Sequence, residues 1–284
     1  MIKFGVAGNS QSFYNEGYSH TEQAPKWLKK RDIDIFEYPF GRGVRMSQPT
    51  AEKIKNAFKL ENIDISCHAP YFINLSNPIE DKIQGSFGYM LDTLQAVKML
   101  GGKRIVVHPG AQQKQTRNVA VTNAINSLVR FKDIKKEAGF DDEIVCLETM
   151  GKIGQIGTVD EVISFCNLSD TYYPCIDFGH VNAREQGSLK TVEDFDNLIK
   201  KLINGIGYEK TRDMHVHFSK IEYSTGGEVR HLTFNDNIYG PNFEPLAEAL
   251  ILNKLEPTII CESAGTQAED TMYMKKVYFD LING

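Results

Sequence analysis

The stretch MLGGKRIVVHPG, Met99 to Gly110, joins the end of a predicted helix to a short strand. Gly101 and Gly102 can adopt the left-handed conformation that a helix end favours. The short apolar run Arg104–His108 then predicts a strand that ends in a histidine. The same unit, a helix followed by a short strand with a polar end, recurs along the whole chain.

The alternation of strands and helices predicts the fold class. Short β-type runs predict eight strands, at Ile2–Ala7, Ile33–Tyr38, Ile63–His68, Arg104–His108, Ile144–Glu148, Pro174–Asp177, Asp213–Phe218 and Thr258–Glu262. Helix-like spacing of apolar residues lies between them, at Thr21–Arg31, Thr50–Leu60, Asp81–Leu100, Asn118–Ala138, Val159–Leu168, Leu189–Leu202, Glu244–Leu252 and Ala268–Leu281. Eight such alternations predict an α/β protein, a single (β/α)8 TIM barrel that forms one domain over residues 1–284. A doubly wound open sheet is the competitor, but GVAGNSQS after the first strand matches GxGxxG poorly.

Composition narrows the class of protein. With 41% hydrophobic and 24% charged residues, the 284-residue chain is typical of a globular protein with a sizeable core. We expect no membrane span and no export signal, because the apolar runs are short and the N-terminus lacks a basic start. Five scattered cysteines without a CxxC pattern predict a reducing, cytoplasmic location. The net charge of −5 argues mildly against bulk binding of nucleic acid, although a local basic patch is compatible with it.

Polar side chains collect where the predicted strands end, which is where barrels of this class build their active sites. Six consecutive strands deliver imidazoles or carboxylates to that rim: His68, His108, Glu148, Asp177 with His180, His215 with His217, and Glu262. One such residue alone is more often structural, but this many converging groups need cations to offset their desolvation. Imidazole and carboxylate without thiolate suit zinc or manganese, and more than four groups indicate at least two ions. Two ions that share a bridging carboxylate favour phosphoester hydrolysis.

The cysteines near these groups are expected to be structural. Cys67 and Cys261 each directly precede a candidate ligand, so alternation along the strand points them outward into the helix layer. Cys146 and Cys175 each lie two residues before a candidate ligand, so they face the barrel interior one layer lower, where a metal-ligand role is the less favoured alternative.

Five motifs resemble those of the endonuclease IV family of apurinic/apyrimidinic endonucleases, within the wider group of xylose-isomerase-like barrels: HAPYFINLSNP (His68–Pro78), VVHPG (Val106–Gly110), LET (Leu147–Thr149), CIDFGHVNA (Cys175–Ala183) and HVHFSK (His215–Lys220). The resemblance runs along essentially the whole chain. It implies a hydrolase that cuts duplex DNA on the 5′ side of an abasic site in base excision repair, with a zinc cluster. No obligate protein partner is implied, and a monomer is expected.

The resemblance also assigns roles to individual residues. The ligands carry over as His68, His108 and Glu148 for a first ion, Glu148, Asp177, His215 and Glu262 for a second, and His180 and His231 for a third. In that family a metal-bridging hydroxide attacks the phosphorus, and Glu148 and Glu262 are the catalytic residues expected to orient it. Arg45, Tyr71 and Phe72 match positions that contact DNA and hold the abasic nucleotide out of the helix. The alternative is that Tyr71 and Phe72 only cap the barrel core.

Among the departures from the family's pattern, two are single positions near the candidate ligands. Val229 stands where the family has an aspartate ligand of the third ion, so two zinc ions are expected and the third depends on Glu228. If this segment is an extended strand, the Glu228 side chain points to the face opposite that of Val229 and His231. His217 stands where the family has asparagine, and we expect it to orient its neighbours.

A sugar isomerase or epimerase is the alternative function. DFGH is a form also common among such enzymes, and they need only one ion, on Glu148, Asp177, His215 and Glu262. His68, His108 and Tyr71 favour the nuclease, whereas Val229 and the eighth-strand segment CESAGTQAED depart from it. A non-catalytic binder is a third class, which the large set of candidate ligands disfavours.

Overall fold

The computed structural model describes residues 1–284, which form a closed barrel of eight parallel strands surrounded by helices. The barrel contains β1 (Lys3–Ala7), β2 (Ile35–Pro39), β3 (Asp64–His68), β4 (Arg104–Val107), β5 (Ile144–Glu148), β6 (Tyr172–Asp177), β7 (His215–Phe218) and β10 (Thr258–Cys261). It closes where β1 pairs with both β2 and β10. The predicted (β/α)8 TIM barrel is confirmed, and each of the eight predicted strands overlaps one strand of the barrel.

Two further strands were not predicted. β8 (Ile221–Ser224) and β9 (Gly227–His231) form an antiparallel hairpin outside the barrel, between β7 and the helix that follows it. The segment is short and mostly polar, so it carries no clear alternation of apolar residues from which a strand could be predicted.

The helices are α1 (Gln11–Asn15), α2 (Ala24–Lys29), α3 (Gln48–Glu61), α4 (Glu80–Leu100), α5 (Arg117–Glu137), α6 (Val159–Cys166), α7 (Phe178–Arg184), α8 (Val192–Ile206), α9 (Tyr208–Arg212), α10 (Phe243–Leu252) and α11 (Gln267–Asn283). The predicted helix Thr21–Arg31 is instead a 3₁₀ turn, Thr21–Gln23, followed by α2. The short helices α1, α7 and α9 contain too few turns to show an apolar period. Gly101 ends α4 with φ +85°, as its sequence context predicts.

The core lies mainly between the strands and the helices. Cys67 and Cys261 are buried there, in two separate apolar clusters, whereas Cys146 and Cys175 pack with Val106 inside the barrel. All five cysteines are free and buried. This small apolar layer inside the barrel lies beneath polar side chains toward the carboxyl ends of the strands. None of the helices combines the length and the apolar character that crossing a bilayer requires.

Candidate metal centre

Glu148, at the end of β5, is the centre of the polar rim. Its Oε2 lies 2.9 Å from His108 Nε2 and 3.3 Å from His68 Nε2. Its Oε1 lies 3.3 Å from both His217 Nδ1 and His180 Nδ1. One carboxylate, only 1% exposed, therefore connects imidazoles from four segments of the chain.

A second group contains Glu148, Asp177, His217 and Glu262, whose ligand atoms all lie within 4.8 Å of one another. The structure thus differs from the sequence prediction, which placed His215 with these carboxylates. The reason is the strand register, which pairs Asp177 with His217 and Cys175 with His215. Because side chains on one face repeat every two residues, His215 lies one layer deeper in the barrel.

A third group joins α7, which directly follows β6, to the hairpin. Its members are His180, Glu228 and His231, with ligand atoms again within 4.8 Å of one another. His180 Nε2 lies 3.3 Å from Glu228 Oε2, and His231 Nε2 lies 4.0 Å from Glu228 Oε1. The expectation that Glu228 faces away from His231 is therefore corrected.

A β-bulge brings Glu228 to this position. Glu222 pairs with Arg230 and Tyr223 pairs with Glu228, so Val229 is an extra residue without a partner on β8. A bulge of this kind changes the direction of neighbouring side chains. Val229 is 49% exposed, while the Glu228 carboxylate points to His180. The hairpin therefore supplies a carboxylate although the aspartate of the family's motif is missing.

Gly151, in the loop after β5, leaves room for this carboxylate. The backbone N–H of Glu228 donates to the Gly151 carbonyl at 3.1 Å. A Cβ on Gly151 would lie 2.7 Å from Glu228 Cβ and 2.9 Å from His180 Cδ2. Only glycine at this position allows the hairpin and α7 to approach the loop after β5 so closely.

Three of the imidazoles have a hydrogen-bond partner outside the cluster of carboxylates. His68 Nδ1–H donates to the Ala69 carbonyl at 2.7 Å, and His180 Nδ1–H donates to the Thr149 carbonyl at 3.0 Å. His231 Nδ1 lies 2.8 Å from Ser219 Oγ. Such outer hydrogen bonds are typical of histidines that bind metals.

Burial and opposite charges together set the pKa values in this cluster. Burial alone would lower the pKa of His180, but the surrounding carboxylates, Asp177 first, raise it to about 10. Burial would raise the pKa of Glu262, but His217 and His231 lower it to about 2. For Asp177 burial prevails and raises the pKa to about 6. Protonated imidazoles here supply positive charge that bound divalent cations would replace.

The donor set fits divalent cations. Nitrogen and oxygen donors without thiolate at the rim suit zinc or manganese. Asp177 caps α7 by accepting a hydrogen bond from the His180 N–H through Oδ1 at 2.7 Å, while its buried Oδ2 accepts no hydrogen bond and lies 3.2 Å from His180 Nδ1. A buried carboxylate oxygen without a hydrogen bond is costly unless positive charge neutralises it, and a bound cation would do so where the imidazole serves as a neutral ligand.

The three residues predicted to contact DNA lie on loops at this rim. Tyr71 is 59% exposed, and its ring centroid lies 5.2 Å from that of His68 and 5.5 Å from that of His108. Phe72 is 52% exposed and packs edge-on against Tyr89 at 4.7 Å. Arg45 is exposed on the loop between β2 and α3. Tyr71 and Phe72 are therefore not buried caps of the core.

One buried acid of the site was missed in the sequence. Glu37 on β2 is 1% exposed, and its Oε1 lies 2.8 Å from His217 Nε2. The signal that could have found it is a single carboxylate inside the apolar run IDIFEYPF, where alternation places it on the inner face with Ile35.

Residues 25–277 match the family model described as a xylose isomerase-like TIM barrel. The chain belongs to this family. An uncharacterized protein of Methanocaldococcus jannaschii is 34% identical over 275 residues, which cover 97% of this chain and 96% of that protein. A protein named probable endonuclease 4 from Oceanobacillus iheyensis is 29% identical over 165 residues, 56% of this chain. That alignment spans 53% of the relative, about half of its length.

Solved structures show the same fold. A D-tagatose 3-epimerase-like protein superposes with a TM-score of 0.74 at 20% identity, covering 99% of this chain and 98% of that chain. Endonuclease IV from Thermus thermophilus superposes with a TM-score of 0.69 at 19% identity, covering 99% of each chain. At these identities the superpositions establish the barrel alone, so the function has to be argued from the rim.

Proposed function

We propose that this protein is a metal-dependent phosphodiesterase that hydrolyses duplex DNA on the 5′ side of abasic sites. The observation that carries the proposal is that three ligand groups converge at one rim, with Glu148 shared by the first two. An isomerase needs one such group. The relatives named probable endonuclease 4 support the same function.

Each group has residues that would hold a cation. The first would use His68, His108 and Glu148. The second would use Glu148, Asp177, His217 and Glu262, and the third His180, Glu228 and His231. We propose zinc as the metal, with manganese as the alternative, because the donors are imidazoles and carboxylates. Bound divalent cations would stabilise negative charge on a phosphate group and activate water for its displacement.

The protein's own groups would hold the substrate and the reacting atoms in place. Glu148 and Glu262 would orient the attacking water and accept hydrogen bonds from it, because both carboxylates stay ionised: neighbouring imidazoles keep their pKa values low. Tyr71 and Phe72 offer exposed aromatic faces beside the centre, on which a base next to the lesion would stack. Arg45 would contact a backbone phosphate.

The test is cleavage of an end-labelled duplex that carries one tetrahydrofuran abasic analogue. Zinc-loaded wild type is expected to give a single cut on the 5′ side of the analogue. The undamaged duplex of the same sequence is the matched substrate control, and Glu148→Gln is the control for contaminating nuclease. A wild-type protein that holds its metal ions and leaves the damaged duplex intact would overturn the proposal.

A sugar isomerase or epimerase is the second candidate. The group of Glu148, Asp177, His217 and Glu262 is by itself a four-ligand, one-ion site. The D-tagatose 3-epimerase-like structure has the same fold. Conversion of a ketose by the zinc- or manganese-loaded protein, with the damaged duplex left intact, would establish this candidate instead.

A further inference from the structure

Beneath the candidate metal centre, a second polar layer surrounds the carboxylate of Glu37. Its Oε1 lies 2.8 Å from His217 Nε2, and its Oε2 lies 2.9 Å from His215 Nε2. Ser66 Oγ donates a hydrogen bond of 2.8 Å to Oε2. All four side chains are buried, so water offers Glu37 no alternative partner. The two histidines of β7 thus share one acid from the far side of the barrel.

The contact with His217 determines which of its ring nitrogens is available to a cation. Nε2 is within hydrogen-bond distance of Glu37 Oε1, at 2.8 Å. Nδ1 lies 3.3 Å from Glu148 Oε1 and 3.4 Å from Glu262 Oε1. An imidazole that donates its one proton through Nε2 presents a lone pair on Nδ1. A ring turned the other way would present N–H or carbon to the rim carboxylates.

We propose that Glu37 is a positioning residue that keeps the proton of His217 on Nε2 and directs Nδ1 to the rim as a cation ligand. The outer acceptors of His68 and His180 are backbone carbonyls, whereas that of His217 is a buried carboxylate. An anionic acceptor increases the basicity of the opposite nitrogen more than a carbonyl does. The proposal rests on the metal centre of the proposed function and not on DNA as its substrate.

Ser66 and His215 hold Glu37 itself in place. Both contact Oε2, which leaves Oε1 for His217. The hydroxyl of Ser66 therefore acts on the metal centre through two successive contacts. This sequence of contacts explains why a serine, a glutamate and a second histidine occupy the interior of a barrel below its rim.

The main test is the zinc affinity of Glu37→Gln, measured by competition with a chromophoric chelator. The substitution keeps the size of the side chain and removes its charge. We expect one ion to bind about 10–100-fold more weakly, the usual effect of losing an outer partner of a ligating histidine. Ser66→Ala keeps the charge but loses one hydrogen bond, and it should weaken the same ion about threefold. Ser127→Ala, a buried hydroxyl on α5 away from the rim, is the matched control and should change nothing.

A spectroscopic readout tests the orientation directly. In long-range ¹H–¹⁵N spectra of the zinc-loaded, ¹⁵N-histidine-labelled wild type, we expect a protonated Nε2 and a metal-bound Nδ1 for His217. His217→Asn identifies the signals by their absence. In Glu37→Gln the Nε2 proton signal should shift or disappear.

The proposal is overturned if Glu37→Gln binds zinc as tightly as the wild type and keeps the His217 Nε2 proton signal. A lower melting temperature with unchanged zinc affinity of the folded protein would also overturn it, since that result indicates a purely structural role. If Glu37→Gln does not fold, unchanged zinc affinity in Ser66→Ala decides against the proposal. Neither readout uses DNA, so an intact damaged duplex would overturn the proposed function and leave this proposal standing.

Discussion

The two sides of Glu148 are built differently. On the barrel side, His68 ends β3 and His108 follows β4, so both ligands are fixed by the parallel strands. On the hairpin side, Glu228 and His231 come from a two-stranded sheet outside the barrel, and the His231 side chain is 26% exposed. The barrel side is therefore preorganised, whereas the hairpin side depends on one bulge. The comparison teaches that a single rim can combine fixed ligands with ligands that a short loop structure supplies.

The largest effect is expected from Glu148→Gln, because this carboxylate contacts His68 and His108 on the barrel side and His180 next to the hairpin. Loss of the shared charge should lower kcat for cleavage of the abasic duplex by about 10³-fold or more, the upper range for removing one charge-stabilising group. Elemental analysis should find fewer bound ions. The matched control is Glu143→Gln, which changes a buried acid paired with Lys98 at 3.2 Å, away from the rim. Near-wild-type cleavage by Glu148→Gln would remove this carboxylate from the mechanism.

His68→Ala should damage the barrel side alone. We expect a loss of about 10²-fold in kcat, because a preorganised ligand is removed and nothing nearby replaces it. The hairpin ion should stay bound, so metal content measured by mass spectrometry should fall by one ion and no more. Loss of every ion would show that the two sides do not bind independently.

Glu228→Gln should damage the hairpin side alone. One ion should be lost and kcat should fall about tenfold, because the remaining groups keep their ligands. Melting temperature should stay close to that of the wild type, since the hairpin lies outside the barrel and its apolar core. An unchanged metal content would mean that His180 and His231 hold no third ion with Glu228.

Deletion of Val229 removes the bulge and should have a smaller effect than Glu228→Gln. Without the extra residue, Glu228 lies two positions before His231 on a regular strand, so both side chains still face the same side. We expect the hairpin ion to stay bound, with kcat between that of the wild type and that of Glu228→Gln. Val229→Ala keeps the bulge and changes only an exposed side chain, so it should behave as the wild type. Loss of the hairpin ion in the deletion would contradict this expectation and show that the bulge itself is required to position the carboxylate.

Phe72→Ala should have the smallest effect on cleavage. Phe72 lies on the exposed surface next to the barrel-side ligands, not among the ligands themselves. Loss of one stacking ring weakens binding by about 1 kcal/mol, so KM for the abasic duplex should rise about fivefold with little change in kcat. Leu60→Ala, an exposed apolar residue before β3 at the other end of the barrel, is the control. A fall in kcat without a change in KM would place Phe72 with the reacting groups instead of the substrate surface.

The barrel and its rim could be predicted from the sequence because both rest on local patterns. Apolar strands, helix periods and polar strand ends are visible in one stretch such as MLGGKRIVVHPG. The height of a ligand along the barrel axis could not be predicted in this way, because it depends on the register between strands that are distant in sequence. Two histidines on one face of β7 look equivalent in the sequence, and only the pairing of Asp177 with His217 separates them. Single-residue features such as the bulge at Val229 and the inward acid Glu37 also depend on contacts between distant segments.

The layer around Glu37 has a consequence for sequence variation among relatives. Glu37 and His217 are separated by 180 positions, yet they share one buried contact that also involves Ser66. A change at any of these positions leaves a buried charge or hydroxyl without its partner, which selection tolerates only with a compensating change. Positions 37, 66 and 217 should therefore covary as one unit across the family. Relatives that replace the acid at position 37 should mark the branches in which the metal centre has been rebuilt.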